Sequence, residues 1–153
     1  MNNSALALKL LNPEWPVSPQ VKTAVTTREG GISQGPYQSL NLGDHDGDGP
    51  RCVLANRALL SKFLPNEPIW LKQVHGVKVS TPIARLDEAD AIVTNKPNEV
   101  LAIMTADCYP ILICNKQGDE IAAIHAGWRG AVFGVIQSTL THFKAPRSDL
   151  MAW

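Results

Sequence analysis

Cysteine is scarce in this chain, with three among 153 residues. A small, odd number argues against a disulfide framework and for free thiols in a reducing compartment. An excess of charge is lacking too, because 14 Lys plus Arg face 14 Asp plus Glu. Nothing therefore pulls the chain toward nucleic acid or an anionic membrane, and any phosphate site has to be a local feature. The stretch from Met1 to Lys9 lacks a charged region followed by a long apolar run and a small-residue cleavage site. No later run approaches the roughly 18 apolar residues of a membrane span. The expectation is a cytoplasmic protein with neither nucleic-acid nor membrane partners. Internal repeats and low-complexity segments are also missing. What is present is 44% hydrophobic content in a length that suits one domain, residues 1–153, with a core covering most of its unfolded surface.

The patterning predicts a mixed α/β chain with strands in the majority. Val21 to Arg28 is rich in β-branched residues and is followed by Gly30-Gly31, a strand and a turn. A long glycine- and aspartate-rich loop fills Ser33 to Gly49, a length that inside a compact domain is usually functional or disordered. Pro50 opens a helix to about Leu64, capped by Asp48 or Gly49, with an apolar stripe through Val53, Leu54, Ala58 and Phe63. Strands are expected at Ile69 to Val74, Val77 to Thr81, Ala91 to Thr94, Val100 to Thr105 and Ile111 to Cys114. A hairpin at Lys116 to Glu120 leads into Ile121 to His125. Helical spacing of Val132, Val135, Ile136, Leu140 and Phe143 predicts one helix over Trp128 to Phe143. After Pro146, Ser148 to Trp153 reads as a further strand inside which the chain stops, so a truncated chain is expected.

Chemistry concentrates between Met104 and Gly130. Cys108 lies in a break between two strands, in Met-Thr-Ala-Asp-Cys-Tyr-Pro, and His125 ends a strand just before a helix start, in Ile-His-Ala-Gly-Trp-Arg-Gly. His75, in Lys-Gln-Val-His-Gly, has a similar position upstream. Two imidazoles and a thiolate suffice for a catalytic zinc that keeps one open position. Each also has a plain structural reading: His125 as a core histidine, Cys108 as a small buried hydrophobe like Cys52 and Cys114, His75 as a turn residue before Gly76. Spacing does not decide between them, because a discontinuous site leaves no local signature. Asp107 and Asp90 could orient a histidine or act on protons, or simply form turns. Asp44, Asp46, Asp48 and Gly49 fit only the first half of a calcium loop, and Gly127 to Gly130 lacks the lysine of a phosphate loop. The amides at that helix start, with Arg129, could nevertheless hold an oxyanion.

Seven ordered stretches then carry a resemblance. Thr26 to Gly31, Ser39 to Gly43 with Asn56-Arg57, Gln73 to Gly76, Ala89 to Ala91, Met104 to Cys108 and His125 to Gly130 follow one another as in the YfiH family, also called the polyphenol oxidoreductase laccase or peptidoglycan editing factor family, which includes purine nucleoside phosphorylases. The resemblance implies a zinc held by His75, Cys108 and His125. It implies a layered α+β fold, mixed sheets between helices, distantly similar to the cytotoxic-necrotising-factor deamidase domain. It also implies phosphorolysis of adenosine, inosine and methylthioadenosine, with adenosine deamination as a side activity. Family members continue beyond the matching part, so the C-terminal part of the family domain is expected to be missing.

On that reading the catalytic residues are Cys108, His125 and Asp107, and Arg28, Asn41 and Arg129 bind a purine nucleoside and phosphate in a monomer. Two other chemistries stay open: Cys108 as a covalent nucleophile with His125 as base in an amide hydrolase of peptidoglycan precursor editing, and a copper-dependent polyphenol oxidase, ranked below zinc because several histidines expected of a multicopper site are lacking. The chain as it stands is expected to be poorly soluble and nearly inactive in phosphorolysis, while still binding zinc weakly.

Overall fold

Hydrophobic runs become sheet strands here only where a partner strand supplies hydrogen bonds, and several of the expected runs find one for only two residues. The computed structural model describes residues 8–153. The chain is mixed α/β, with three short α-helices and several small sheets among the described residues. It divides into two compact units, one of residues 1–14 with Thr23–Pro65 and one of Trp15–Lys22 with Asn66–Trp153. No helix of the described residues is long and apolar enough to cross a membrane.

In the first unit, strand β1 (Leu10–Leu11) pairs antiparallel with β2 (Val25–Thr26). Of the strand expected over Val21 to Arg28 only those two residues lie in the ladder, and beyond them the Thr27 amide donates to the Lys9 carbonyl at 3.2 Å. Helix α1 runs Pro50–Ser61 with Gly49 as N-cap and proline in its first turn, as expected at its start. Its buried face is not the apolar stripe: Val53, Asn56 and Leu60 are buried, whereas Leu54 is 66% and Phe63 59% exposed. The reason is the long loop, whose backbone groups need partners. Asn56, fully buried, accepts from the amide of Ile32 at 2.9 Å and donates to Ser33 Oγ at 2.9 Å and to the carbonyls of Ser39 and Asn41 at 3.2 and 2.8 Å. One amide side chain thus ties the loop to the helix. Gly31 sits against it so closely that a Cβ would overlap the backbone of Ser39 and Leu40. Asn56→Ala strands these buried donors and acceptors, and is expected to cost about 2–4 kcal/mol in urea unfolding, since each unpaired group costs ~1–3 kcal/mol.

The second unit is built on a five-stranded sheet in the order β4-β5-β8-β7-β9. β5 (Ala91–Thr94), β7 (Tyr109–Asn115) and β8 (Ile121–Ala126) are its long members, with β8 antiparallel to both neighbours. β4 (Val79–Ser80) runs parallel to β5, and β9 (Leu150–Ala152) pairs antiparallel with β7. A separate pair, β3 (Pro68–Ile69) and β6 (Val100–Leu101), is parallel. Period-two alternation sends Ala122, Ile124 and Ala126 into one core with Val135 and Phe143, and Ala123 into another with Leu71, Ala89 and Ile92. His125 shares the Ala123 side.

Other expectations change here. The strands read over Ile69 to Val74, Val77 to Thr81 and Val100 to Thr105 each shorten to about two residues, because the amides of Val74 and Met104 bond to side chains instead of a ladder and that of Thr81 bonds to the Ala84 carbonyl of a turn. The single helix of Trp128 to Phe143 is two, α2 (Trp128–Phe133) and α3 (Val135–Leu140), parted by Gly134 at φ 97°. That left-handed residue ends one helix and starts the next. The turn redirects the chain so that Val135 is fully buried while Val132 is 74% exposed.

Candidate functional site

Three strands bring the chemistry to one end of the five-stranded sheet. Cys108 immediately precedes β7, and His125 lies in the last turn of pairing of β8, opposite Pro110. Asp90 immediately precedes β5, and its carbonyl accepts from the amide of His125 at 2.7 Å. His75 arrives on the loop between β3 and β4. Its backbone is left-handed, φ 59°, which lets the ring point back at the sheet end. Gln73 ties this loop to the one ahead of Cys108: its side chain donates to the Met104 carbonyl and accepts from the Met104 amide, both at 2.7 Å.

The result is a cluster of His75, Cys108 and His125 whose donor atoms all lie within 4.8 Å of one another. Cys108 Sγ is 3.8 Å from His75 Nε2, and the two imidazoles meet edge to face with centroids 4.7 Å apart. Metal–donor lengths of ~2.0–2.3 Å at a tetrahedral centre place such donors roughly 3.3–3.6 Å apart, so the trio is close to the size required. Space is left on purpose: a Cβ at Gly127 would lie 2.7 Å from His75 Cδ2 and 3.2 Å from Cys108 Sγ. Donor chemistry and spacing together make the trio able to hold a metal ion.

His125 is 3% exposed and Asp90 0%. Their contact, His125 Nδ1 to Asp90 Oδ1, is 2.8 Å. Burial pushes the Asp90 carboxyl up, but hydrogen bonds from His125 and from the amides of Gly76, Val74 and His75 outweigh it and hold the group below its ordinary value. A carboxyl lowered on folding contributes stability that is full above its unfolded value of about 4 and is lost as pH falls through the lower folded value. Urea unfolding of the metal-free chain should therefore show stability dropping below about pH 4, with Asp90→Asn weaker at neutral pH and less acid-sensitive. The Cys108 thiol moves the other way. Burial pushes it up, and the neighbouring Asp107 charge, the hydrogen bond to Asp107 Oδ1 at 3.7 Å and the Asp90 charge add to the rise.

The remaining candidates are placed unevenly. Asp107 is exposed and touches Cys108 rather than either histidine. Arg129 is exposed in the first turn of α2, its guanidinium 5.3 Å from the Trp128 ring centre. In the first unit, Arg28 donates to the carbonyls of Gln38 and Pro36 at 2.7 and 3.2 Å and lines a cleft with Glu29, Gly35, Gln38 and Ser39. Asn41 spends its amide on its own loop, on Gly43 and Asp48. Asp48 accepts from Ser33 Oγ at 2.6 Å and from the Gly49 amide at 2.7 Å, a helix-start turn as expected. Sequence reasoning missed Gln73 and the steric part played by Gly127. A side chain that bonds to backbone, and a glycine needed for space, leave no pattern in a single sequence.

The profile of the family described as multi-copper polyphenol oxidoreductase laccase matches residues 22–153. This chain belongs to that family, the YfiH family. Its fold agrees: a Neisseria meningitidis protein of known structure superposes with a TM-score of 0.87 at 44% identity, over 94% of this chain and 60% of that one. The YfiH-family chain is 47% identical over 150 residues to a purine nucleoside phosphorylase of Haemophilus influenzae, covering 95% of its own length and 62% of the relative's. It is 45% identical to the purine nucleoside phosphorylase YfiH of Escherichia coli over the same shares. The chain thus spans about 62% of the length of these relatives.

Proposed function

We propose that this YfiH-family chain carries the zinc centre of a purine nucleoside phosphorylase acting on adenosine, inosine and methylthioadenosine, with adenosine deamination as a side activity. The observation that supports this reading most is the meeting of His75, Cys108 and His125 within 4.8 Å at the end of one sheet. The relatives' names as purine nucleoside phosphorylases supply the reaction class. A zinc ion on the trio would supply Lewis-acid polarisation at an open position.

The chain's own residues then have these tasks. In phosphorolysis the bond from the sugar's anomeric carbon to the purine nitrogen breaks, a bond from that carbon to a phosphate oxygen forms, and the leaving purine takes up a proton. Arg129, exposed beside the start of α2 in the same unit as the trio, is proposed to bind phosphate, and Arg28 is proposed as an anion-binding group of the first unit. Asp107, exposed next to Cys108, is the proposed proton carrier to the departing base. Asn41 is proposed as a substrate-binding residue of the first unit, its side chain shaping its own loop through Gly43 and Asp48.

The raised Cys108 thiol weighs against the covalent amide hydrolase, because the attacking species is the thiolate. A cation reverses that disadvantage, since a coordinated thiol is deprotonated outright. The test is metal analysis of this chain, together with mass spectrometry of products from inosine and phosphate, run on a protein of the relatives' full length that contains it. Stoichiometric zinc with hypoxanthine and ribose 1-phosphate is the expected result. Tightly held copper, or no metal and a rapidly alkylated thiol, would overturn it.

A further inference from the structure

We propose that Asp90 is the positioning residue of the donor trio: its single carboxylate selects which nitrogen of His125 is free to bind a cation and clamps the backbone of His75, so both imidazoles are aimed before an ion arrives. This rests on the trio being a metal site.

The carboxylate is an acceptor only, so a 2.8 Å contact from its Oδ1 to His125 Nδ1 requires the proton on Nδ1. The neutral ring then has its lone pair on Nε2, the nitrogen left to face the other donors. With both side chains buried, water does not compete for Nδ1. The same carboxylate reaches the opposite ligand. Oδ1 accepts from the His75 amide at 2.8 Å, Oδ2 from the Gly76 amide at 2.7 Å, and both from the Val74 amide at 3.2 Å. These three consecutive amides surround the left-handed His75, a conformation that a non-glycine residue adopts only when its surroundings hold it. Asp90 is itself pinned, its carbonyl on the His125 amide and its amide on the Lys78 carbonyl.

An asparagine at this position has one acceptor oxygen and one NH2 group, and neither orientation serves. Turned one way, its NH2 meets His125 Nδ1 and favours the proton on Nε2, which blocks the ligand. Turned the other way, NH2 meets the Gly76 amide and opens the His75 clamp. The outcome in either case is a trio that has lost one imidazole while the rest of the sheet is unchanged.

Three measurements on the full chain test this. Nitrogen-15 NMR of the imidazoles in the metal-free wild-type protein should show His125 protonated on Nδ1. Zinc affinity by chelator competition should fall about 10- to 100-fold in Asp90→Asn. Its cobalt-substituted spectrum should keep the thiolate charge-transfer band but lose tetrahedral intensity, with Asp90→Glu recovering part of both. A His125 protonated on Nε2 in the wild type, or an Asp90→Asn variant with wild-type affinity and spectrum, would overturn the proposal. The NMR measurement needs no variant, so it decides even if Asp90→Asn fails to fold. A wild-type chain with Nδ1-protonated His125 that binds no metal would overturn the zinc reading while supporting the placement of the ring by Asp90.

Discussion

Cys108→Ala is expected to weaken zinc binding by at least about 100-fold, more than loss of any outer partner of a ligand. It should also abolish phosphorolysis in a protein of the relatives' full length, yet lower the melting temperature of the metal-free chain by only a few degrees. The two halves of that result come from different physics. Cys108 is half-buried and joins no core cluster, so its packing contribution is on the order of 1 kcal/mol. For the metal it is the soft, anionic member of a three-donor set, and the remaining pair of neutral imidazoles lacks both its charge and its geometry. Chelator competition, thermal melting and product analysis on one preparation check all three parts. Retained turnover would defeat the zinc and the covalent readings together.

Gly127→Ala should have an effect nearly as large without touching a ligand. The backbone at Gly127, φ −63° and ψ 155°, is open to any residue, so no strain arises there. What alanine lacks is room. Its Cβ would come 2.7 Å from His75 Cδ2 and 3.2 Å from Cys108 Sγ, and His75 is held by the amide bonds of its own loop. The donors must spread, and zinc affinity is expected to fall about 10- to 100-fold, on the scale of a disturbed ligand shell. Overpacking should also cost about 1–3 kcal/mol in urea unfolding. A wild-type affinity in Gly127→Ala would show that the trio has slack and that the space beside it is incidental.

The long strands were legible because their signal is local. Ala91 to Thr94, Ile111 to Cys114 and Ile121 to His125 are apolar runs that lie between paired strands, and they became β5, β7 and β8. From them followed the placing of Cys108 and His125 at strand ends. The short elements were overextended, since the number of residues that pair depends on a partner the pattern does not contain. Gly134 stood in plain view inside a helical repeat, and its φ of 97° is what split the helix. Helix α1 misled because its buried face contains Asn56, a polar residue that an apolar-stripe rule assigns to water. The convergence of His75 and Asp90 on the site was beyond periodicity altogether, because backbone amides of one loop and a carboxylate at a strand start meet only in the folded chain.

The Gln73 clamp divides tolerance to substitution unequally between the two loops it joins. Its pair of bonds to Met104 is made to backbone atoms, like a rung of a sheet with one side supplied by a side chain. Position 104 therefore contributes the same rung whatever non-proline residue it holds, while position 73 needs a group that both donates and accepts at the reach of glutamine. A proline at 104 or a glutamate at 73 would each remove half of the rung by opposite means, one deleting the amide hydrogen and the other the side-chain donor.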